Sequence, residues 1–114
     1  MSFKRGDVVL VRFPNSDLTT YKKRPALIVQ ADGLNTGLSQ KIIALITSNL
    51  SRTGETRVFV QKSSEIGKHM GIISDSVIVA DNLATVLERE IDKVIGNCVE
   101  TTHVDRALRR VLAL

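Results

Sequence analysis

The stretch Lys22-Lys23-Arg24-Pro25-Ala26-Leu27-Ile28-Val29-Gln30 joins three consecutive cations to an apolar run that favours a β-strand. We expect this strand to begin at Pro25, because a proline at the first residue of a strand removes no hydrogen bond from the ladder. Pro25 also restricts Arg24 to an extended conformation. Arg24 is therefore expected where an exposed loop becomes a rigid strand, and there its planar guanidinium can bind a phosphate. The alternative interpretation of these residues alone is a solvated charge run beside an edge strand.

Short β-prone segments separated by turn signals lie on both sides of this stretch. The first predicted strand covers residues 8–13, and a polar loop over residues 15–23 follows it. Further strands are predicted over residues 41–48, 56–61, 76–80, 83–86 and 94–99. Asp81-Asn82 is expected to form a tight turn between two of them. Residues 63–71 are expected to form a loop with one helical turn.

The hydrophobic period changes near the end of the sequence. From Thr102 onward, apolar residues recur at helical spacing, at Val104, Ala107, Leu108, Val111 and Leu112. Thr102 is a candidate N-cap, with Asp105 three residues later in a variant of the capping box. Many short strands and one terminal helix predict a mainly β fold, either a strongly bent antiparallel sheet or a barrel, closed by the helix. The 114 residues form one domain, 1–114.

Composition narrows the classes of function. The formal net charge is +4, and an excess of this sign favours a polyanionic partner or substrate. Cys98 is the single cysteine, which excludes an intramolecular disulfide and fits a reducing cytoplasm. No secretory signal or membrane-spanning run is found, so we expect a cytoplasmic protein without a membrane partner. No group of ligand residues has metal-site spacing and no nucleotide-binding loop is present, so no metal ion or other cofactor is expected.

Several segments in a fixed order carry a resemblance to a known family. They are Gly6-Asp7-Val8-Val9-Leu10-Val11, Lys23-Arg24-Pro25-Ala26-Leu27-Ile28-Val29, the strand ending in Thr47-Ser48, Asp75-Ser76-Val77-Ile78, and the C-terminal amphipathic helix. In this order and spacing the chain resembles the MazF/PemK family of toxins. The resemblance implies an SH3-like β-barrel of the PemK/MazF/CcdB type with a C-terminal helix, working as a homodimer. It also implies metal-independent, sequence-selective cleavage of single-stranded mRNA that inhibits translation and growth, and a cognate antitoxin whose acidic tail covers the RNA-binding groove.

Carried over residue by residue, the resemblance makes Arg24, Thr47 and Asp75 the catalytic candidates. Some members carry an arginine one or two residues before the aspartate, where this chain has Ile73 and Ser74. The candidates for RNA binding are Arg12, Asp17, Tyr21, Lys22, Lys23, Ser48, Arg52, Arg57, Ser76 and Asn82. Half of these are cations that can follow the RNA backbone, and Tyr21 can stack on a base.

Metal-free cleavage of RNA requires the ribose 2′-oxygen to attack the adjacent phosphorus. Arg24 is suited to stabilise the negative charge that develops on the phosphoryl oxygens, since its guanidinium stays positively charged and makes paired hydrogen bonds. Thr47 can donate to the phosphate or fix the 2′-hydroxyl, and Asp75 can accept the 2′-hydroxyl proton or orient Arg24. Two other functions stay open for this fold: a protein-binding, gyrase-inhibitor-like toxin without nuclease activity, and a DNA-binding corepressor that contacts operator DNA with its antitoxin.

Overall fold

A computed structural model describes residues 3–14, 19–51 and 53–114. The strands are β1 (Asp7–Pro14), β2 (Tyr21–Ile28), β3 (Gln40–Thr47), β4 (Arg57–Val60), β5 (Ser76–Leu87) and β6 (Ile91–Asn97). The helices are α1 (Glu65–Met70) and α2 (Thr102–Leu112), with a short 3₁₀ turn at Glu88–Glu90. All registered strand pairs are antiparallel, and the sheet order is β4-β5-β3-β2-β1-β6. The predicted mainly β fold with a C-terminal helix is confirmed, as a bent sheet that does not close into a barrel.

The sheet buries apolar side chains on both faces, because successive strand residues point to opposite sides. Val8 and Val9 show this alternation, since they belong to separate buried clusters. One cluster lies between the sheet and α2 and includes Leu27, Ala44, Ile46, Ile78, Val104, Ala107 and Leu108. The other cluster includes Phe3, Val11, Ala26, Ile28, Ile43 and Ile91. A sheet covered on both faces fixes its register strongly, because a slip of one residue would exchange the two sets.

Strand β2 begins at Tyr21, so the prediction that it begins at Pro25 is wrong. Pairing with β1 runs from Pro14–Tyr21 to Val8–Leu27, and Pro25 lies inside it opposite Leu10. The local sequence pattern did not predict that Pro25 lies inside β2. A proline is tolerated within a strand where its missing N–H faces away from the partner strand, which here is β1.

Asp81-Asn82 does not form a tight turn. Strand β5 runs without reversal from Ser76 to Leu87. Its register against β3 shifts between Ala44–Leu83 and Leu45–Val79, so Ala80, Asp81 and Asn82 form a bulge. A bulge inserts extra residues into a strand and bends it without ending it, and it has the same polar signature as a turn.

Helix α2 follows the predicted period, but its N-cap is Thr101 instead of Thr102. Asp105 in the first turn accepts a hydrogen bond from Arg5, at 2.8 Å between Nη2 and Oδ1. Near the other end, Arg110 makes two bonds to Glu55, and these hydrogen bonds lower the pKa of the Glu55 carboxyl. In the part of the chain that the structure describes, no helix is long and apolar enough to cross a membrane.

The predicted loop over residues 63–71 contains helix α1, capped at both ends. The Ser64 Oγ accepts from the Gly67 backbone N–H at 3.0 Å, and Gly71 ends the helix in the left-handed region at φ 72°. The end of α1 lies directly on β6, where a Cβ atom built on Gly96 would collide with backbone atoms of His69 and Met70. This contact fixes the loop that follows α1 against the sheet.

We expect Gly96→Ala to destabilise the fold by about 1–3 kcal/mol, the usual cost of overpacking. The reason is that the new methyl group meets backbone atoms, which cannot rotate away. Asn97→Ala is the control, since it places an alanine at an exposed position of the same strand. Chemical denaturation of both variants measures the free energy of unfolding. A Gly96→Ala variant as stable as the wild type would show that α1 is not held by this contact.

Candidate nucleic-acid interface

The candidate site is a groove that opens where β2 and β3 separate. The ladder between these strands covers only Ile28–Ile43, Leu27–Ala44 and Ala26–Leu45. Beyond the last pair, β2 continues to Tyr21 with β1 as its partner, whereas β3 continues to Thr47 with β5 as its partner. The sheet is therefore split at this end, with one strand on each side of the gap.

The register explains which residues face each other across the split. Two residues beyond Ala26–Leu45, the same register sets Arg24 opposite Thr47. One residue further it sets Lys23 opposite Ser48, and both of these line the groove. Antiparallel pairing of β2 with β3 thus places residues far apart in the sequence on the two sides of the split.

The groove has a volume of about 490 Å³ and two kinds of wall. Its cations are Lys22, Lys23, Arg24 and Lys93, and its other lining residues are Leu10, Pro25, Ser48, Gly71, Ile72, Ile73, Ser74, Ser76 and Ile95. No carboxylate is among the described residues that line it. A positively charged groove of this kind suits the phosphate backbone of a single-stranded nucleic acid.

A tight turn after β3 fixes the first polar residues at the groove. The Thr47 Oγ1 accepts a hydrogen bond from the Asn49 backbone N–H at 3.1 Å. The Asn49 Oδ1 in turn accepts from the Ser51 Oγ at 2.6 Å. Thr47 is half-buried and flanks the groove, which its neighbour Ser48 lines. The hydroxyl proton of Thr47 is not used in the bond to Asn49 and can still be donated.

Asp75 and Ser76 lie at the start of β5, on the other side of the split. The Asp75 Oδ1 accepts from the Lys62 backbone N–H at 2.9 Å, which ties the loop after α1 to the end of β4. Asp75 is exposed and does not line the groove, although Ser74 and Ser76 on either side of it do. Ser76 is buried, and its Oγ donates to the Ser74 carbonyl oxygen at 2.9 Å.

The structure brings Lys22, Lys23, Arg24, Ser48 and Ser76 together around one groove, with Thr47 and Asp75 beside it. Tyr21 and Arg12 are exposed on the adjoining ends of β2 and β1 but do not line it.

Arg57 and Asn82 lie elsewhere. The Arg57 Nη2 lies 3.3 Å from the Asp81 Oδ2, and Nη1 donates to the Thr56 Oγ1 at 3.0 Å. Arg57 is thus held at the β5 bulge, where Asn82 is exposed. Asp17 and Arg52 lie outside the described residues.

Sequence reasoning did not select as site residues eight that line the groove: Leu10, Pro25, Gly71, Ile72, Ile73, Ser74, Lys93 and Ile95. Ile73 is 90% exposed and adds apolar surface to this lining. Lys93 reaches the groove only through the pairing of β6 with β1. No local signal could have found it, because charged residues surround it in the sequence. Among the described residues, no cluster of histidine, cysteine, aspartate or glutamate could hold a metal ion.

Comparison with solved structures shows the same fold in known toxins. One is an endoribonuclease from a mycobacterial species in complex with its cognate antitoxin. Its TM-score with this chain is 0.74 at 23% sequence identity, and the match covers 99% of this chain and 97% of that chain. The Mycobacterium tuberculosis toxin MazF-mt6 has a TM-score of 0.73 at 22% identity, and the match covers 95% of this chain and 97% of that chain. A MazE–MazF structure from Deinococcus radiodurans has a TM-score of 0.72 at 17% identity, with 100% and 99% covered.

Two comparisons of sequence complete this result. A search of curated proteins found no match. The family model described as "PemK-like, MazF-like toxin of type II toxin-antitoxin system" matches residues 4–113, which confirms the resemblance over nearly the whole chain. The chain therefore belongs to the family of PemK-like, MazF-like toxins of type II toxin–antitoxin systems.

Proposed function

We propose that this toxin is a sequence-selective endoribonuclease that cleaves single-stranded mRNA without a metal ion and so inhibits translation. The observation that carries the proposal is the groove at the split between β2 and β3. Arg24 and three lysines line it, and no described carboxylate does. Family membership supports the proposal, as does the same fold in proteins named as endoribonucleases.

The reaction forms a bond between the 2′-oxygen and phosphorus and breaks the bond from phosphorus to the 5′-oxygen. Negative charge builds on the phosphoryl oxygens, and a fixed cation at that point lowers the barrier. Arg24 fills this role, because strand pairing with Val11 on β1 holds its backbone in place. A guanidinium can also bind two oxygens of one phosphate at once.

Thr47 and Asp75 have the hydrogen-bonding capacity for the remaining roles. The Thr47 oxygen accepts from the Asn49 N–H, which leaves the hydroxyl proton to be donated to a phosphoryl oxygen. One Asp75 oxygen is occupied by the Lys62 N–H, and the second carboxylate oxygen stays available. Asp75 either accepts the 2′-hydroxyl proton through that oxygen or orients Arg24.

Arg24→Ala is expected to lower the single-turnover cleavage rate by about 10²–10³ while reducing RNA affinity much less, since the guanidinium acts on transition-state charge. Arg24→Lys should restore little, because an ammonium group cannot reproduce the planar fork. Lys22→Ala is the matched control, since Lys22 is an exposed cation on the same strand and lines the same groove. It should weaken binding mildly and leave the chemical rate nearly unchanged. Equal losses of rate in Arg24→Ala and Lys22→Ala would instead indicate a diffuse electrostatic patch.

The ends of the products test the nucleophile. If the 2′-oxygen attacks, cleavage leaves a 2′,3′-cyclic phosphate and a 5′-hydroxyl, and it continues in excess EDTA because Arg24 supplies the stabilising charge. Product ends can be assigned by mass spectrometry and by labelling with polynucleotide kinase. Products with a 5′-phosphate, or activity that EDTA abolishes and Mg²⁺ restores, would contradict the mechanism.

We propose two partners besides RNA: a cognate antitoxin with an acidic tail, and a second copy of the chain. The basic groove suits an acidic segment, and the relatives from the mycobacterial species and from Deinococcus radiodurans were solved with antitoxins. We propose that the second copy binds at a different surface, an apolar hollow of about 590 Å³ between α2 and the segment after β2. Its exposed apolar lining residues are Leu34, Ile42, Leu112 and Leu114.

The acidic C-terminal segment of the antitoxin should compete with RNA for the groove and inhibit cleavage. Raising the salt concentration should weaken the binding of the segment to the protein, because exposed charges are screened beyond about 10 Å at 0.1 M. Fluorescence competition against labelled RNA measures how well the segment displaces RNA. Light scattering measures the oligomeric state and should find a homodimer, in which each chain binds one segment. A bound segment that leaves RNA affinity unchanged would argue against occlusion of the groove.

A further inference from the structure

Lys93 lines the groove because it belongs to a row of paired residues that crosses β2, β1 and β6. Leu10 on β1 pairs with Pro25 on one side and with Lys93 of β6 on the other. Directly paired residues place their side chains on the same face of a sheet. Neighbouring strands are about 4.8 Å apart, so the Lys93 Cα lies roughly 10 Å from the Pro25 Cα. Lys93 therefore lies on the same face of the sheet as Pro25 and lines the groove two strands away from it.

The charge of Lys93 is not neutralised within the described part of the chain, where it makes no ion pair. Lys23 differs, since its Nζ lies 3.2 Å from the Asp92 Oδ2. Among the described residues that line the groove, Lys93 is the cation that β2 does not supply. Ile73 and Ser74, in the loop after α1, line the groove without adding charge to it. Lys93 adds a positive charge from β6 to those that β2 supplies.

We propose that Lys93 binds a phosphate of the RNA next to the scissile phosphate. This inference rests on the proposed ribonuclease function and specifies how that site holds its substrate. An ammonium group is a compact point charge with three donors, suited to hold a phosphate without bidentate geometry. The contact exists before the reaction and persists through it, so Lys93 contributes to substrate binding and positioning, whereas Arg24 acts on the transition state.

The test compares Lys93→Gln with Lys68→Gln, which removes the same charge from an exposed position on α1 outside the groove. The probe is a short single-stranded RNA that spans a site mapped with the wild-type protein, with a 2′-O-methyl group at the cleaved position for binding measurements. Lys93→Gln should weaken binding about fivefold, as expected for one exposed ion pair. The slope of log affinity against log salt should fall by about 0.7, one phosphate contact on a single strand. The single-turnover rate at saturating RNA should stay close to that of the wild type, and Lys93→Arg should retain affinity.

A scan with single neutral methylphosphonate linkages then identifies the contact. With the wild type, one linkage beside the scissile phosphate should weaken binding, and the same linkage should have no effect with Lys93→Gln. If Lys93 had a purely structural role, its substitution would not remove the effect of a methylphosphonate linkage at one position only. If Lys93→Gln binds like Lys68→Gln, or is affected by the same linkages as the wild type, the inference is wrong while the proposed function stands. A wild-type protein that neither binds nor cuts RNA would contradict the proposed function, and this inference with it.

Discussion

The missing N–H of Pro25 limits the ladder between β2 and β3, and the groove depends on where that ladder ends. The Val29 N–H donates to the Ile42 carbonyl oxygen at 3.1 Å, so the odd-numbered residues of this part of β2 direct their polar groups at β3. The next hydrogen-bonding position after Leu27 is Pro25, which has no N–H to donate. The registered pairing accordingly stops at Ala26–Leu45. One covalent feature of one residue thus opens the sheet without interrupting β2, because β1 continues to pair with its other edge.

A groove made by a split sheet has rigid walls, which suits electrostatic catalysis. Arg24 and Lys23 are carried by a strand still paired with β1, and Ser48 follows directly on a strand still paired with β5. The third wall comes from the loop after α1, held where Gly71 and Gly96 allow the helix end to approach β6 closely. Groups fixed in this way need little reorganisation when charge develops on a substrate. The exposed apolar surface of Ile73 lines the same groove as the cations, so a ligand there meets both charged and apolar surface.

The sequence predicted the features that depend on local pattern. The period of α2 and the β-prone segments act over a few residues, and the structure contains the helix and the strands that they indicate. Features that depend on register were not predicted, because register is decided by pairing between distant segments. The bulge at Asp81 was read as a turn, since polar residues after a strand suit both. Lys93 was not singled out, because only its pairing with Leu10 brings it to the groove. Arg57 was proposed as a contact to RNA on its charge alone, yet it is bound to Asp81.

The distribution of charge carries more information about this protein than its total. A net charge of +4 is modest, but most carboxylates in the described ion pairs lie against cations outside the groove. These pairs are Arg5–Asp105, Lys41–Glu88, Arg57–Asp81, Arg89–Glu90 and Arg110–Glu55. Exposed pairs of this kind contribute little to stability. Their larger effect is on the field, because they neutralise positive charge elsewhere. Of the cations that line the groove, Lys23 alone has a carboxylate partner among the described residues. The excess positive charge is therefore concentrated in the groove, where a polyanion would bind.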